Sequence, residues 1–188
     1  MIVRSVRFPV ASALLALMAC FCLFLASPAH AQGSLKGNFG DWQLRCDKVP
    51  DKTAQKEAEQ CILMQSLVDD QSVVEGQKVE INLVVVVLKA SDPKTPNARK
   101  PILRVIAPLG VLLPRGLGLK IDQAVIGATG FVRCLANGCV AEVELDDALI
   151  EKLKAGKEAL FVIFLPPDEG RGLPLNLDGF EKGFSQLQ

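Results

Sequence analysis

The stretch VEINLVVVVL, Val79 to Leu88, decides the fold class. In its first half Val79, Ile81 and Leu83 alternate with Glu80 and Asn82, the period of a half-buried strand. In its second half the polar partners disappear, and Val84, Val86 and Leu88 interleave with Val85 and Val87. Such a run is far short of the roughly 20 residues that a membrane-spanning helix needs. It predicts a β-strand whose second face enters the interior partway along.

The same signature repeats on either side. Upstream, Asp41 to Cys46 and Ile62 to Val68 read as strands. Between them Asp51 to Gln60 is polar, and Ala54, Ala58, Cys61, Ile62 and Gln65 fall at helical spacing, so a helix running into Cys61 is expected there. Downstream, Ser91 to Lys100 carries Pro93, Pro96, Asn97, Lys94, Arg99 and Lys100 and reads as an exposed loop with a solvated basic tip. Pro101 to Ala107 is the next strand, followed by Val111 to Leu113 and Leu119 to Ile121 between Pro/Gly turns.

Thr129 to Leu135 and Val140 to Leu145 form the clearest hairpin, around Asn137-Gly138. If Cys134 and Cys139 are bonded, they stand opposite each other and centre the turn on Ala136 and Asn137 instead. One helix follows over about 146–155: Asp146 or Asp147 caps it, Leu149, Ile150 and Leu153 share a face, and Gly156 ends it. Ala159 to Leu165 and Leu173 to Leu177 are strands flanking a loop from Pro166 to Gly172, and Phe180 to Leu187 is a closing helical turn. The expected fold is mainly β: a single-domain, disulfide-stabilised β-sandwich or irregular barrel of about eight or nine short strands with one short helix.

The N-terminus predicts export. Arg4 and Arg7 precede an apolar run from Val10 to Ala26, and Ala29-His30-Ala31 is a small-residue cleavage site, so residues 1–31 read as a signal peptide cut after Ala31. Pro28 and the short apolar run argue against an anchor, and the apolar Phe21 to Leu25 argues against lipidation at Cys20. Residues 32–188 are then one domain whose 19 basic and 21 acidic side chains leave a net charge of −2. That balance gives no reason to expect a nucleic-acid partner, and no transmembrane span is expected in the mature chain.

Cleavage removes His30, the only histidine, and the chain has no tyrosine. Ser/His/Asp and Cys/His hydrolysis, HExxH zinc chemistry and a histidine switch are thereby excluded from the mature chain. Four cysteines remain, Cys46, Cys61, Cys134 and Cys139, an even number suited to an oxidising compartment. Pairing the neighbours, Cys46 with Cys61 and Cys134 with Cys139, is favoured among three connectivities. The spacings lack the paired CxxC knuckles of a zinc site and the CxxC of a thioredoxin-like site, so no metal or cofactor is expected.

Only carboxylates are left for acid/base work. Asp69-Asp70 would point to opposite faces of a strand, Glu142 and Glu144 alternate with Val143 and Leu145 as the wet side of one, and Asp146-Asp147 has a capping role. Asp168-Glu169 sits in the Pro166 to Gly172 loop, where Asp168, Glu169 and Arg171 form a candidate binding surface on a proline-stiffened segment. Trp42, the sole tryptophan, is expected to pack in the core near the first disulfide.

Phe39-Gly40-Asp41-Trp42 with Cys46, Cys61 and Gln65, then Leu103-Arg104-Val105 through Ala107-Pro108-Leu109-Gly110-Val111 to Leu113-Pro114, resembles the invasion-associated locus B family of alphaproteobacteria. Gly116 to Leu119 with Ile121-Asp122, Cys134 with Gly138-Cys139-Val140-Ala141, and Pro174-Leu175-Asn176-Leu177 with Gly179-Phe180 continue the resemblance in the same order. It implies a secreted, periplasmic or outer-membrane-associated protein, named for host-cell invasion, and carries no catalytic residues over. The expected function is non-catalytic binding of an unknown protein or envelope component. The alternative is a periplasmic carrier of a small apolar ligand, which a cavity of a few hundred Å³ lined by aliphatics would favour.

Overall fold

In the computed structural model, residues 33–50, 57–71, 73–74, 76–92 and 95–187 are described. The expected signal peptide and its cleavage site at Ala31 lie outside them, as do residues 51–56 of the polar segment. The described chain is built on two antiparallel sheets. The larger has seven strands in the order β1-β2-β3-β6-β7-β11-β10, formed by β1 (Ser34–Phe39), β2 (Trp42–Pro50), β3 (Glu57–Asp69), β6 (Ile81–Asp92), β7 (Thr95–Ala107), β11 (Gly138–Glu144) and β10 (Phe131–Leu135). The smaller has four, in the order β13-β12-β8-β9, formed by β13 (Glu169–Asn176), β12 (Glu158–Leu165), β8 (Leu117–Ile121) and β9 (Ala124–Thr129). A short hairpin of β4 (Val73–Val74) and β5 (Gln77–Lys78) stands apart.

Alternation builds the core. On β12 every second residue is buried, with Ala159, Phe161, Ile163 and Leu165 on one face. On the larger sheet Leu63, Leu83, Val85, Val87, Leu103 and Val105 supply the inner face, and both sets belong to one hydrophobic cluster. The two open sheets make a sandwich, the first of the two architectures that the sequence leaves open.

The opening stretch, on β6, is the central strand of the larger sheet. Its inner residues Leu83, Val85 and Val87 are wholly buried, and Val86 and Leu88 on the second face are 8% and 6% exposed. Val86 lies between Met64 and Arg104 and Leu88 between Ile62 and Ile102, so long neighbours on both sides shield them. The loss of polar residues halfway along the strand marks this flanked position.

Several expectations are corrected. Glu57 to Gln60 are strand, not helix: they pair residue by residue with Asp47–Pro50, so the ladder overrides the helical spacing. The expected loop from Ser91 to Lys100 is largely a hairpin, since β6 continues to Asp92 and β7 begins at Thr95, with Ser91 opposite Arg99. These ladders make β3, β6 and β7 strands of 12 or 13 residues rather than short ones, and thirteen strands occur among the described residues. β1 and β9 were not expected from the pattern; they are edge strands, with Leu35 and Val125 exposed, so alternation does not betray them.

The helix α1 (Asp147–Ala155) matches the sequence: the Asp146 carboxylate accepts from the Leu149 N–H at 2.7 Å. Gly156 ends it for a reason other than the left-handed conformation, because its φ is −71°. A Cβ there would lie 2.7 Å from Ile121 Cγ2 and 2.9 Å from Leu177 Cδ1, so close packing demands glycine. A second helix, α2 (Phe180–Phe184), closes the chain.

Both expected disulfides are present. Cys46 and Cys61 face each other across β2 and β3, and Cys134 and Cys139 across β10 and β11. The second bridge sets the register, with Leu135 opposite Gly138 and the turn on Ala136 and Asn137.

Candidate functional site

Apart from Asp147, the carboxylates singled out for acid/base work each have a structural partner. Asp69 accepts from the Gln71 N–H at 2.9 Å and Asp70 from the Gln71 side chain at 2.7 Å. Glu142 pairs with Arg104 and Glu144 with Lys100, both at 2.7 Å, across β11 and β7. Asp168 pairs with Arg115 at 3.1 Å, and the Arg115 guanidinium also stacks 4.5 Å from the Phe164 ring centre. Glu169 pairs with Arg171, which also donates to the Val73 carbonyl at 3.1 Å.

The segment from Pro166 to Gly172 is therefore tighter than a free loop. β12 runs to Leu165 and β13 starts at Glu169, opposite Leu165, while Arg171 stands opposite Ile163. Asp168 belongs to the turn, and Glu169 and Arg171 belong to β13. The structure brings all three together at one end of the smaller sheet, with their charges already paired. Cys46, Cys61 and Glu59 also lie close enough to suggest a metal group, but the two sulfurs are bonded to each other and only one carboxylate is left to ligate.

At one edge of the sandwich the chain is closed by an interlock that joins the first and last sequence blocks. Trp42 is 1% exposed, packs edge-on against Phe180 with ring centres 5.3 Å apart, and donates its indole N–H to the Asn176 carbonyl at 3.0 Å. Asn176 donates its side-chain amide to Asp41 at 2.9 Å. Gly40 and Gly179, at φ 59° and 85°, let the two backbones touch: a Cβ on Gly40 would meet the Asp178 carbonyl oxygen at 2.6 Å, and one on Gly179 the Phe39 carbonyl oxygen at 2.2 Å. Phe39-Gly40-Asp41-Trp42 thus serves to seat the C-terminal segment.

The other edge is open. Between β9 and β11 lies a cleft of about 290 Å³, reaching inward to Leu103, Val105 and Ala141 of the larger sheet and Leu117, Leu119 and Phe161 of the smaller. Ile126 and Leu149 stand at its sides, and Thr129 and Glu142 are its polar residues. A polar hollow of about 440 Å³ lies between β3 and Pro174; Gln65 lines it, yet the Gln65 Oε1 atom is sealed from solvent and has no hydrogen-bond partner among the described residues. Sequence reasoning anticipated neither opening, because both depend on where the two sheets fail to meet.

The chain is similar to an invasion protein B homolog of Brucella abortus (strain 2308), 26% identical over 166 residues covering 88% of this chain and 86% of that protein. A homolog from Brucella abortus biovar 1 (strain 9-941) matches to the same extent. The crystal structure of invasion associated protein b from Bartonella henselae shares the fold, with a TM-score of 0.59 and 22% identity over 81% of this chain and 95% of that one. Residues 42–188 match the invasion associated locus B (IalB) protein family, from Trp42 of the interlock through both disulfides to the C-terminal segment that Trp42 holds, and the chain belongs to that family.

Proposed function

We propose that this protein is exported, is cleaved after Ala31, and acts in the cell envelope or at the surface by binding a protein or envelope component, without turnover of its own. The observation that carries the reading is that the candidate carboxylates, Asp147 apart, are committed to ion pairs, turns or a helix cap rather than facing a shared opening. Two disulfides suit an oxidising destination, and no helix among the described residues is long and apolar enough to cross a membrane. The relatives' names carry a role in invasion to this chain as part of the proposal.

The proposed contact surface is the β12–β13 turn with Asp168, Glu169 and Arg171. Its ion pairs hold the segment in one conformation, which lowers the ordering cost of association. Crosslinking in native envelopes, with the wild type and with Asp168→Ala/Glu169→Ala/Arg171→Ala, tests it. The crosslinked species are expected to be lost in the triple variant; identical crosslinks from a folded variant remove this surface. Hydrolysis of a substrate panel that disappears on changing one carboxylate would overturn the non-enzyme reading.

The cleft between β9 and β11 favours a second reading, carriage of a small apolar molecule, because its volume and aliphatic lining are those of a site for such a ligand.

A further inference from the structure

We propose that the cleft between β9 and β11 binds one uncharged, apolar small molecule of ring or short-chain hydrocarbon type; the inference rests on the carrier reading and narrows its ligand. Leu103, Val105, Leu117, Leu119 and Phe161 are core residues, each less than a tenth exposed, and the cleft reaches them. A wall of this kind has forfeited dispersion contacts that a hydrocarbon guest restores.

The opening is built into the chain. Leu119 pairs with Gly127 and Lys120 with Val125, so Ile126 is an extra residue and β9 bulges where the cleft begins. Ile126 packs partly buried against the core from that bulge. Gly127 has φ 148°, and a Cβ on it would meet nothing within 4 Å. Ala128 and Ala141, both on the lining, likewise leave room that larger side chains would take.

Size and charge narrow the guest. An apolar cavity of about 150 Å³ holds a benzene molecule; about 290 Å³ suits two fused rings or a short alkyl chain. The chain passes from β9 to β10 at Gly130, and Gly116 is pressed against that crossover, its Cβ position 2.6 Å from the Thr129 carbonyl oxygen. Among the described residues no basic side chain lines the cleft, and the one carboxylate there, Glu142, is engaged by Arg104. A guest with a charged group would have to lose solvent there without a counter-ion.

The test uses the protein purified from its own envelope and the two-ring dye 1-aminonaphthalene, uncharged at neutral pH. Saturable binding of one dye per chain is expected, displaced by naphthalene and at least about tenfold less well by naphthalene-2-sulfonate, a difference of about 1.4 kcal/mol. Ala141→Leu, which fills the cleft, and Leu149→Glu, which sets a carboxylate at its mouth, should each weaken the dye by about tenfold or more. Leu149→Glu also puts an acidic residue in the first turn of the helix, where the helix dipole favours it, so it keeps the helix if Ala141→Leu does not fold. Absence of saturable binding, equal displacement by the sulfonate, or undiminished binding by a folded variant overturns the inference. Envelope crosslinks that persist in Leu149→Glu while the dye is lost separate this site from the proposed partner surface.

Discussion

The two edges of the sandwich are made from the same kind of strand and end in opposite ways. At the Trp42 edge, α2 and the segment from Asn176 to Gly179 lie over the sheet, and an indole, a phenyl ring and two close backbone approaches fill the space. At the β9 edge a bulge and small residues leave a cleft reaching the inner faces. A seven-stranded sheet opposite a four-stranded one has more inner surface than its partner covers. The chain closes the excess on one side with its own C-terminus and leaves it accessible on the other.

The largest effect is expected at the closed edge. Trp42→Ala should cost about 3–5 kcal/mol, the range for deleting a buried aromatic, read as a fall in the urea midpoint. The wild-type tryptophan emission should be blue-shifted and move red on unfolding. A native emission already red, or a variant of unchanged midpoint, would break the contrast.

The disulfides come next. Cys46 and Cys61 are 15 residues apart and Cys134 and Cys139 are 5 apart. Chain entropy gives about 3 kcal/mol for the first loop and about 2 kcal/mol for the second. Urea midpoints of Cys46→Ser/Cys61→Ser and Cys134→Ser/Cys139→Ser should fall in that order, and a reversed order would show that register outweighs entropy in the second hairpin.

The smallest effect belongs to the open edge. Leu149→Ala should lower stability by less than about 1 kcal/mol, because the side chain is half-buried beside a cleft and lacks a full set of neighbours. A loss as large as that of Trp42→Ala would mean that the β9 edge is as well packed as the other.

Much of the closed edge was legible. Trp42 beside Phe39 and before Cys46 announced a buried anchor, and the structure buries it. The pairing of neighbouring cysteines was legible too, since each bridge spans two strands adjacent in sequence. The segment from Glu57 to Gln60 was misread because its helical spacing is a local signal, and the β2 ladder opposite it is not local. Asp168, Glu169 and Arg171 read as one exposed loop, but Glu169 and Arg171 stand in β13, and the pairing of Glu169 with Arg171 and the approach of Arg115 and Val73 depend on contacts across the fold.

By itself the sequence determined the β class and the capped helix, and it favoured the disulfide pairing that the structure shows. Each of these follows from residue type, period or short spacing, which no packing arrangement alters. Only the tertiary structure decided that Asp41 and Trp42 seat the residues from Asn176 to Phe180. Only it decided that Ile126 bulges beside a cleft. Both depend on how far one sheet extends past the other, a quantity set by long-range strand order and carried by no single stretch of the chain.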